Sequence, residues 1–392
     1  MINLQDVHVV DVKHAVVMQA GGILMDTHKN SHIATLVIIL GLWILSAGCV
    51  SGSNQPAQQG SNPIVTARDD ITVTVVPMLA VTPAIYLQMP NLNITFVDFE
   101  ITNKGSNPAR LRVESELQGY SEKAFNTVDI APQATVTVGQ TPTLKPDAIP
   151  NEITNTMLHY RIADSSGAII QEETLPVKMY ARDTMLWAIK EGDDWTDTSI
   201  FIAAFVTPHT PEIDDLVRKA ANYHADRSMQ GYQCSACSEE QWRGYTLAQV
   251  EAIYEALQND YQVKYINSTI AYSNSSDAPQ RVRLPAESLR TGSANCIDGT
   301  VLYAAALESM DMHPYIVITP SHAFLCYETR PDDAKSLSCL ETTMTGSSSF
   351  EDATETGDQE LAEEYTNGNL ESGKSKILSI QELRANGILP MK

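Results

Sequence analysis

From Ile71 to Tyr180, apolar residues recur at every second position in short runs. ITVTVV (71–76), NITFVDFEI (93–101), ARLRVESEL (109–117), ATVTVG (134–139), MLHYRIA (157–163) and AIIQEETLPVKMY (168–180) are rich in β-branched side chains. The period predicts strands that bury one face. Turn-forming clusters separate them at residues 103–108, 131–133 and 164–167. Past Tyr180 the period lengthens. Thr210-Pro211 reads as a helix cap with proline at the first helical position, and Ile213, Leu216, Val217 and Ala220 then share a face. Thr246 and Gln249 read as a capping box ahead of Leu247, Val250, Ile253, Tyr254 and Leu257. From Cys296 the positions Ile297, Val301, Ala304 and Ala305 trace a buried helical face. Strands are predicted at Tyr315–Thr319, from His322, and from Cys339 to Thr343.

The N-terminal pattern differs. Ala34–Leu45 is an uncharged apolar run of 12 residues, short for a membrane span and suited to the core of a signal peptide. Leu45-Ser46-Ala47-Gly48-Cys49 resembles a lipobox, which implies lipidation of Cys49; an uncleaved anchor helix is the alternative. Met25 fits as the start of a compact signal peptide. Residues 1–48 are therefore assigned to the signal region and 49–66, rich in Ser, Gly, Gln and Pro, to a flexible tether. Residues 67–182 form the expected β-sandwich, of Ig-like type, and 183–392 a second domain.

Charge narrows the partners. With 48 acidic against 26 basic residues the chain carries −22, which argues against nucleic acid. No phosphate-binding glycine motif occurs, and no cofactor or metal is expected. The acidic run 191–197 lacks EF-hand spacing, and the acidic stretch 351–364 reads as the solvated face of a surface helix.

The candidate chemistry lies between Arg283 and Gly346. Cys296 follows a small-residue loop and opens the buried helix, a position that favours a thiolate. Pairing the second and third strands across the loop 330–338 brings His322 and Glu341 to the same end. Parity allows a register with these two opposite each other. That register leaves Cys326 and Cys339 diagonal. A thiol, an imidazole and an orienting carboxylate make the set used in covalent acyl transfer.

These residues carry a resemblance. Leu284-Pro285-x-Glu287-x-Leu289, Asn295-Cys296-Ile297-Asp298, Ser321-His322-Ala323-Phe324 and Leu340-Glu341-Thr342-Thr343 look like the transglutaminase-like superfamily. The resemblance spans roughly Asp183 to Pro390 and implies a papain-like α+β fold. By motif it makes Cys296 the nucleophile, His322 the general base and Glu341 the third member, in place of the commoner Asp. The fold class expected for the whole chain is α+β, an Ig-like β-sandwich followed by a transglutaminase-like domain. The function expected is acyl transfer at the cell surface by a lipid- or helix-anchored enzyme. Its substrate would be a protein or peptide, hydrolysed at a peptide or isopeptide amide. A catalytically degenerate module that binds envelope partners is the alternative.

Gln280 and Asn295 are candidate oxyanion donors beside the Cys296 backbone N–H. Cys326 and Cys339 are a candidate cross-strand disulfide. Cys234 and Cys237 could form a local disulfide, half a zinc site or a redox pair, and the disulfide is expected because no second CxxC exists. Asn93, Asn267 and Asn274 head glycosylation sequons.

Overall fold

The computed structural model describes residues 63–391 apart from 69, 192, 235, 236, 268–271, 274 and 277. The expected signal region, Cys49, the tether as far as residue 62 and the sequon asparagine Asn274 lie outside the described residues.

The first part of the chain alternates strands and tight turns. It runs β1 (Ile64–Arg68), β2 (Ile71–Pro77), β3 (Ala80–Val81), the short helix α1 (Pro83–Tyr86), β4 (Val97–Asn103), β5 (Ala109–Leu117), β6 (Ala124–Ile130), β7 (Thr135–Gln140), β8 (Thr154–Asp164) and β9 (Ile169–Met179). These strands form two sheets, ordered β1-β2-β4-β7 and β3-β9-β8-β5-β6. Alternation builds the layer between them. β2 turns Ile71, Val73 and Val75 inward, and β5 turns Leu111, Val113 and Leu117 inward. The Phe99 and Tyr160 rings meet edge-on across the layer, with centroids 5.5 Å apart. Gln140 of β7 crosses to β5, accepting from Ser115 Oγ at 2.6 Å and donating to the Val113 carbonyl at 3.0 Å.

Three expectations for this region need correction. The tether assigned to 49–66 contains the start of β1, so the ordered body begins before residue 67. β6 was not predicted from its sequence, because as an edge strand it leaves most side chains, including Phe125, in solvent and shows no clean alternation. The strand expected from Asn93 begins at Val97, since Asn93 holds a left-handed turn at φ 55°.

The second part is mixed. β10 (Thr184–Met185) precedes the β11 (Ala188–Glu191) and β12 (Asp194–Asp197) hairpin. The acidic run read as a loop is this hairpin, and Asp197 pairs with Lys376. Then come α2 (Pro211–Ala220), α3 (Glu239–Asn259), β13 (Lys264–Tyr265), β14 (Gln280–Arg281), α4 (Pro285–Thr291), β15 (Ser293–Ala294) and α5 (Cys296–Glu308). The chain closes with β16 (Pro314–Ile318), β17 (Ala323–Glu328), β18 (Leu337–Leu340), α6 (Phe350–Thr366), β19 (Lys376–Ser379) and α7 (Ile380–Ala385). The chain is thus α+β.

Local signals explain the helix starts. Thr210 caps α2 by accepting from Ile213 N. α3 begins seven residues before the expected box, with Ser238 and Gln241 forming the capping box instead. Thr246 and Gln249 lie inside that helix, where Thr246 Oγ1 donates to the Thr329 carbonyl and Gln249 bonds both backbone groups of Gly231. Tertiary partners have claimed both side chains.

α5 is the central helix. Every residue from Cys296 to Leu307 is buried, as expected of a helix apolar on all sides. One side lies on the antiparallel sheet ordered β18-β17-β16-β19, and the others face α2, α3 and α4. The far face of that sheet carries a second small core of Tyr315, Val317, Phe324, Cys326, Cys339 and Ile377, covered by Leu361 of α6. The two parts of the chain are stitched together. Gln88 exchanges two hydrogen bonds with the Leu389 backbone, at 2.8 and 3.0 Å. Within the second part, Arg384 clamps Glu308 through two nitrogens and donates to the carbonyls of Ala203, Val206 and Ile388. No helix among the described residues is long and apolar enough to cross a membrane.

Candidate active site

Cys296 is the first residue of α5 and the free cysteine among the described residues. It is 2% exposed. The helix start is secured twice. Asn295 Oδ1 accepts from Asp298 N at 2.8 Å, and Asp298 Oδ2 accepts from Asn295 N at 3.2 Å. Asp298 Oδ1 also accepts from Arg283 N at 2.8 Å, which ties the preceding segment to the helix. Burial pushes the Asp298 carboxyl up, while these backbone donors hold it down. Asn295, a candidate oxyanion donor, thus has its Oδ1 engaged as the cap.

His322 and Glu341 reach the same place from two strand ends. Thr319 N donates to the His322 carbonyl at 2.9 Å, so His322 belongs to the turn before β17 and not to the strand. Glu341 N donates to the Ala353 carbonyl of α6 at 2.9 Å. That bond draws Glu341 out of the ladder, and β18 ends at Leu340, short of the expected Thr343. His322 Nε2 and Glu341 Oε2 then meet at 2.6 Å. The other oxygen, Oε1, accepts from Thr343 N at 2.8 Å and from the Thr343 hydroxyl. Cys296 lies near enough to act on the same imidazole and favours its protonated form.

The register differs from the one that would set His322 opposite Glu341. Cys326 faces Cys339 directly and Leu325 faces Leu340. The two thiols form a disulfide with their Cα atoms 3.9 Å apart. The expected conflict between disulfide and pairing is resolved because His322 and Glu341 both lie beyond the ladder. They can approach diagonally without a strand register to obey. Cys234 and Cys237 form a second disulfide just before the Ser238 cap of α3.

Electrostatics couple the set. Burial disfavours the His322 imidazolium, but hydrogen bonds to Cys296 and Glu341 and the charges of Glu341 and Glu360 outweigh it, pushing His322 up to about 10. Burial raises Glu341, yet its bonds to His322 and Thr343 prevail and hold it below the usual range.

Glu360 was assigned to a solvated helix face, and the structure corrects this. α6 turns it inward, with Oε2 3.7 Å from His322 Nε2. Ala353, Gly357 and Leu361 recur every four residues and mark the buried face, and Glu360 follows Gly357 by three. That spacing was the available signal. Tyr265 was also missed. It is 45% exposed, lies parallel to Ala294 across β13–β15, and its phenol is raised by burial and by the charges of Cys296 and Glu341.

Donor atoms of His322, Glu341 and Glu360 lie within 4.8 Å of one another. The 2.6 Å separation of Nε2 and Glu341 Oε2 fits a shared proton, and an ion between them would need more room. Gln280, the other oxyanion candidate, is buried on β14 and accepts from Trp187 Nε1 at 2.9 Å. Asn93 and Asn267 are exposed.

The chain matches no family model and no curated protein. Among solved structures it is similar to a FixG-related protein from Vibrio parahaemolyticus, with 11% identity over 29% of this chain and 99% of that one, at a TM-score of 0.20. It is also similar to the exo-chitosanase CsxA of Amycolatopsis orientalis, with 12% identity over 65% of this chain and 30% of that one, at a TM-score of 0.19. Likenesses of this size carry nothing about fold or activity.

Proposed function

We propose that the chain is a transglutaminase-like cysteine enzyme with an Ig-like β-sandwich and a papain-like second domain, hydrolysing a peptide or isopeptide amide. The observation that supports this most is the convergence of Cys296, at a helix start, with an imidazole held at 2.6 Å by a buried carboxylate. In this reading Cys296 Sγ attacks the amide carbonyl. The His322 imidazolium gives its proton to the departing amine, leaving an acyl thioester. Water then attacks the thioester, and His322 takes its proton. The carboxylic acid leaves and the thiol is restored. The Cys296 backbone N–H, free of a helical partner at the first position, stabilises the oxyanion. Glu341 orients the ring and stabilises its cation.

The protein is proposed to act outside the cytoplasmic membrane, held there by lipidated Cys49. The disulfides suit an oxidising compartment.

Labelling with iodoacetamide and mapping of the modified peptide tests the assignment. Modification at Cys296 that falls sharply in His322→Ala supports it. Modification unaltered in His322→Ala, or a Cys296 inert toward the reagent, favours a non-catalytic surface module. Incubation of labelling-competent protein with peptide and amine then separates hydrolysis from transfer.

A further inference from the structure

We propose that Glu360 is a positioning residue of this site: its carboxyl shares a proton with Glu341 and, once ionised, becomes a second anion holding the His322 imidazolium. This rests on the catalytic reading of Cys296, His322 and Glu341.

The geometry begins with packing. Gly357 seats α6 directly on the backbone of β18, where a Cβ would stand 2.6 Å from Leu340 N. One turn earlier the Ala353 carbonyl accepts from Glu341 N at 2.9 Å, which holds α6 against that strand end, and Glu360 follows Gly357 by three residues. Its Oε2 is buried without a hydrogen-bond partner, 3.7 Å from the same Nε2 that Glu341 holds at 2.6 Å. One ring N–H can aim at only one carboxylate. The second must carry a proton or act as an unbonded charge beside the ring.

The surroundings of Glu360 decide when each state holds. Glu341 faces it from the turn after β18, His322 from the turn before β17, and Glu363 from its own helix. Arg243 of α3 is committed to Asp358, less than one turn earlier, at 3.3 Å. Burial and the Glu341 charge push Glu360 up to about 7, against the pull of His322. Below that pH the neutral acid donates to Glu341 and competes with His322 for its carboxylate. Above it the proton is released to solvent, and both anions stabilise the imidazolium that supports the Cys296 thiolate.

The test is the pH dependence of Cys296 alkylation by iodoacetamide in the full chain, comparing wild type with E360Q and E360D. Wild type is expected to show an inflection near pH 7 that E360D retains at a shifted position. E360Q loses it and at pH 8 reacts about five- to tenfold more slowly. An E360Q profile that superimposes on wild type, while His322→Ala still abolishes fast labelling, overturns this inference and spares the catalytic reading. Labelling insensitive to His322 overturns both. Should E360Q fold poorly, the His322 ring resonances of wild type give an independent readout. A secondary step near pH 7 supports the proposal, and a titration without one refutes it.

Discussion

Gly357→Ala is expected to destabilise the protein, against the usual effect of that exchange in a helix. On an open helix face the added methyl gains about 1 kcal/mol through propensity. Here the new Cβ would lie 2.6 Å from Leu340 N, 2.8 Å from Cys339 C and 2.9 Å from Leu340 C. Those are backbone atoms of a strand tied by a disulfide to β17, so they cannot swing aside. α6 would have to retreat by about 0.8 Å to reach ordinary contact. Against backbone that cannot yield, overpacking falls in the upper part of its range, about 2–3 kcal/mol, leaving a net loss of about 1–2 kcal/mol after the propensity gain. Urea denaturation followed by far-UV circular dichroism reads this as a lower midpoint with an unchanged slope. The retreat also lifts Glu360 away from His322, so the pH 7 step in Cys296 alkylation should weaken together with stability. A midpoint equal to or above that of wild type would refute the claim that α6 rests on the β18 backbone.

Arg384→Ala should cost about 3 kcal/mol in the same denaturation assay. It strands Glu308 and three carbonyls, and Arg384→Lys should recover little of the loss because the fork is gone. Glu341→Gln should bring the His322 titration, followed by NMR, down from about 10 toward the ordinary histidine range, and slow Cys296 alkylation about tenfold or more. The raised His322 value also has a stability consequence. Its contribution is fully present below the unfolded value of 6.5 and is lost as pH rises through about 10. The thermal-stability difference between wild type and His322→Gln should therefore shrink between pH 7 and pH 10; a difference that grows would contradict the assignment.

Much of the fold was legible because it is local. The strands at 71–77 and 109–117 follow from two-residue alternation, and α2 follows from Thr210-Pro211. The start of α5 is equally local, since the Asn295–Asp298 bonds join residues three apart. β6 escaped because an edge strand need not alternate, and the start of α3 was misplaced because Thr246 and Gln249 serve distant backbone groups.

The chemical residues and their order along the chain were determined by the sequence alone, as was the placement of Cys296 at a helix start. The tertiary structure decided how they meet. Side-chain parity permits any register shifted by two residues, so it could not choose between pairing Cys326 with Cys339 and pairing His322 with Glu341. Departure of Glu341 from the ladder toward Ala353 made both contacts compatible. Glu360 entered the site for a similar reason. Its helix carries polar residues on nearly every side, and only the close approach of Gly357 to Leu340 determines which of its carboxylates faces inward.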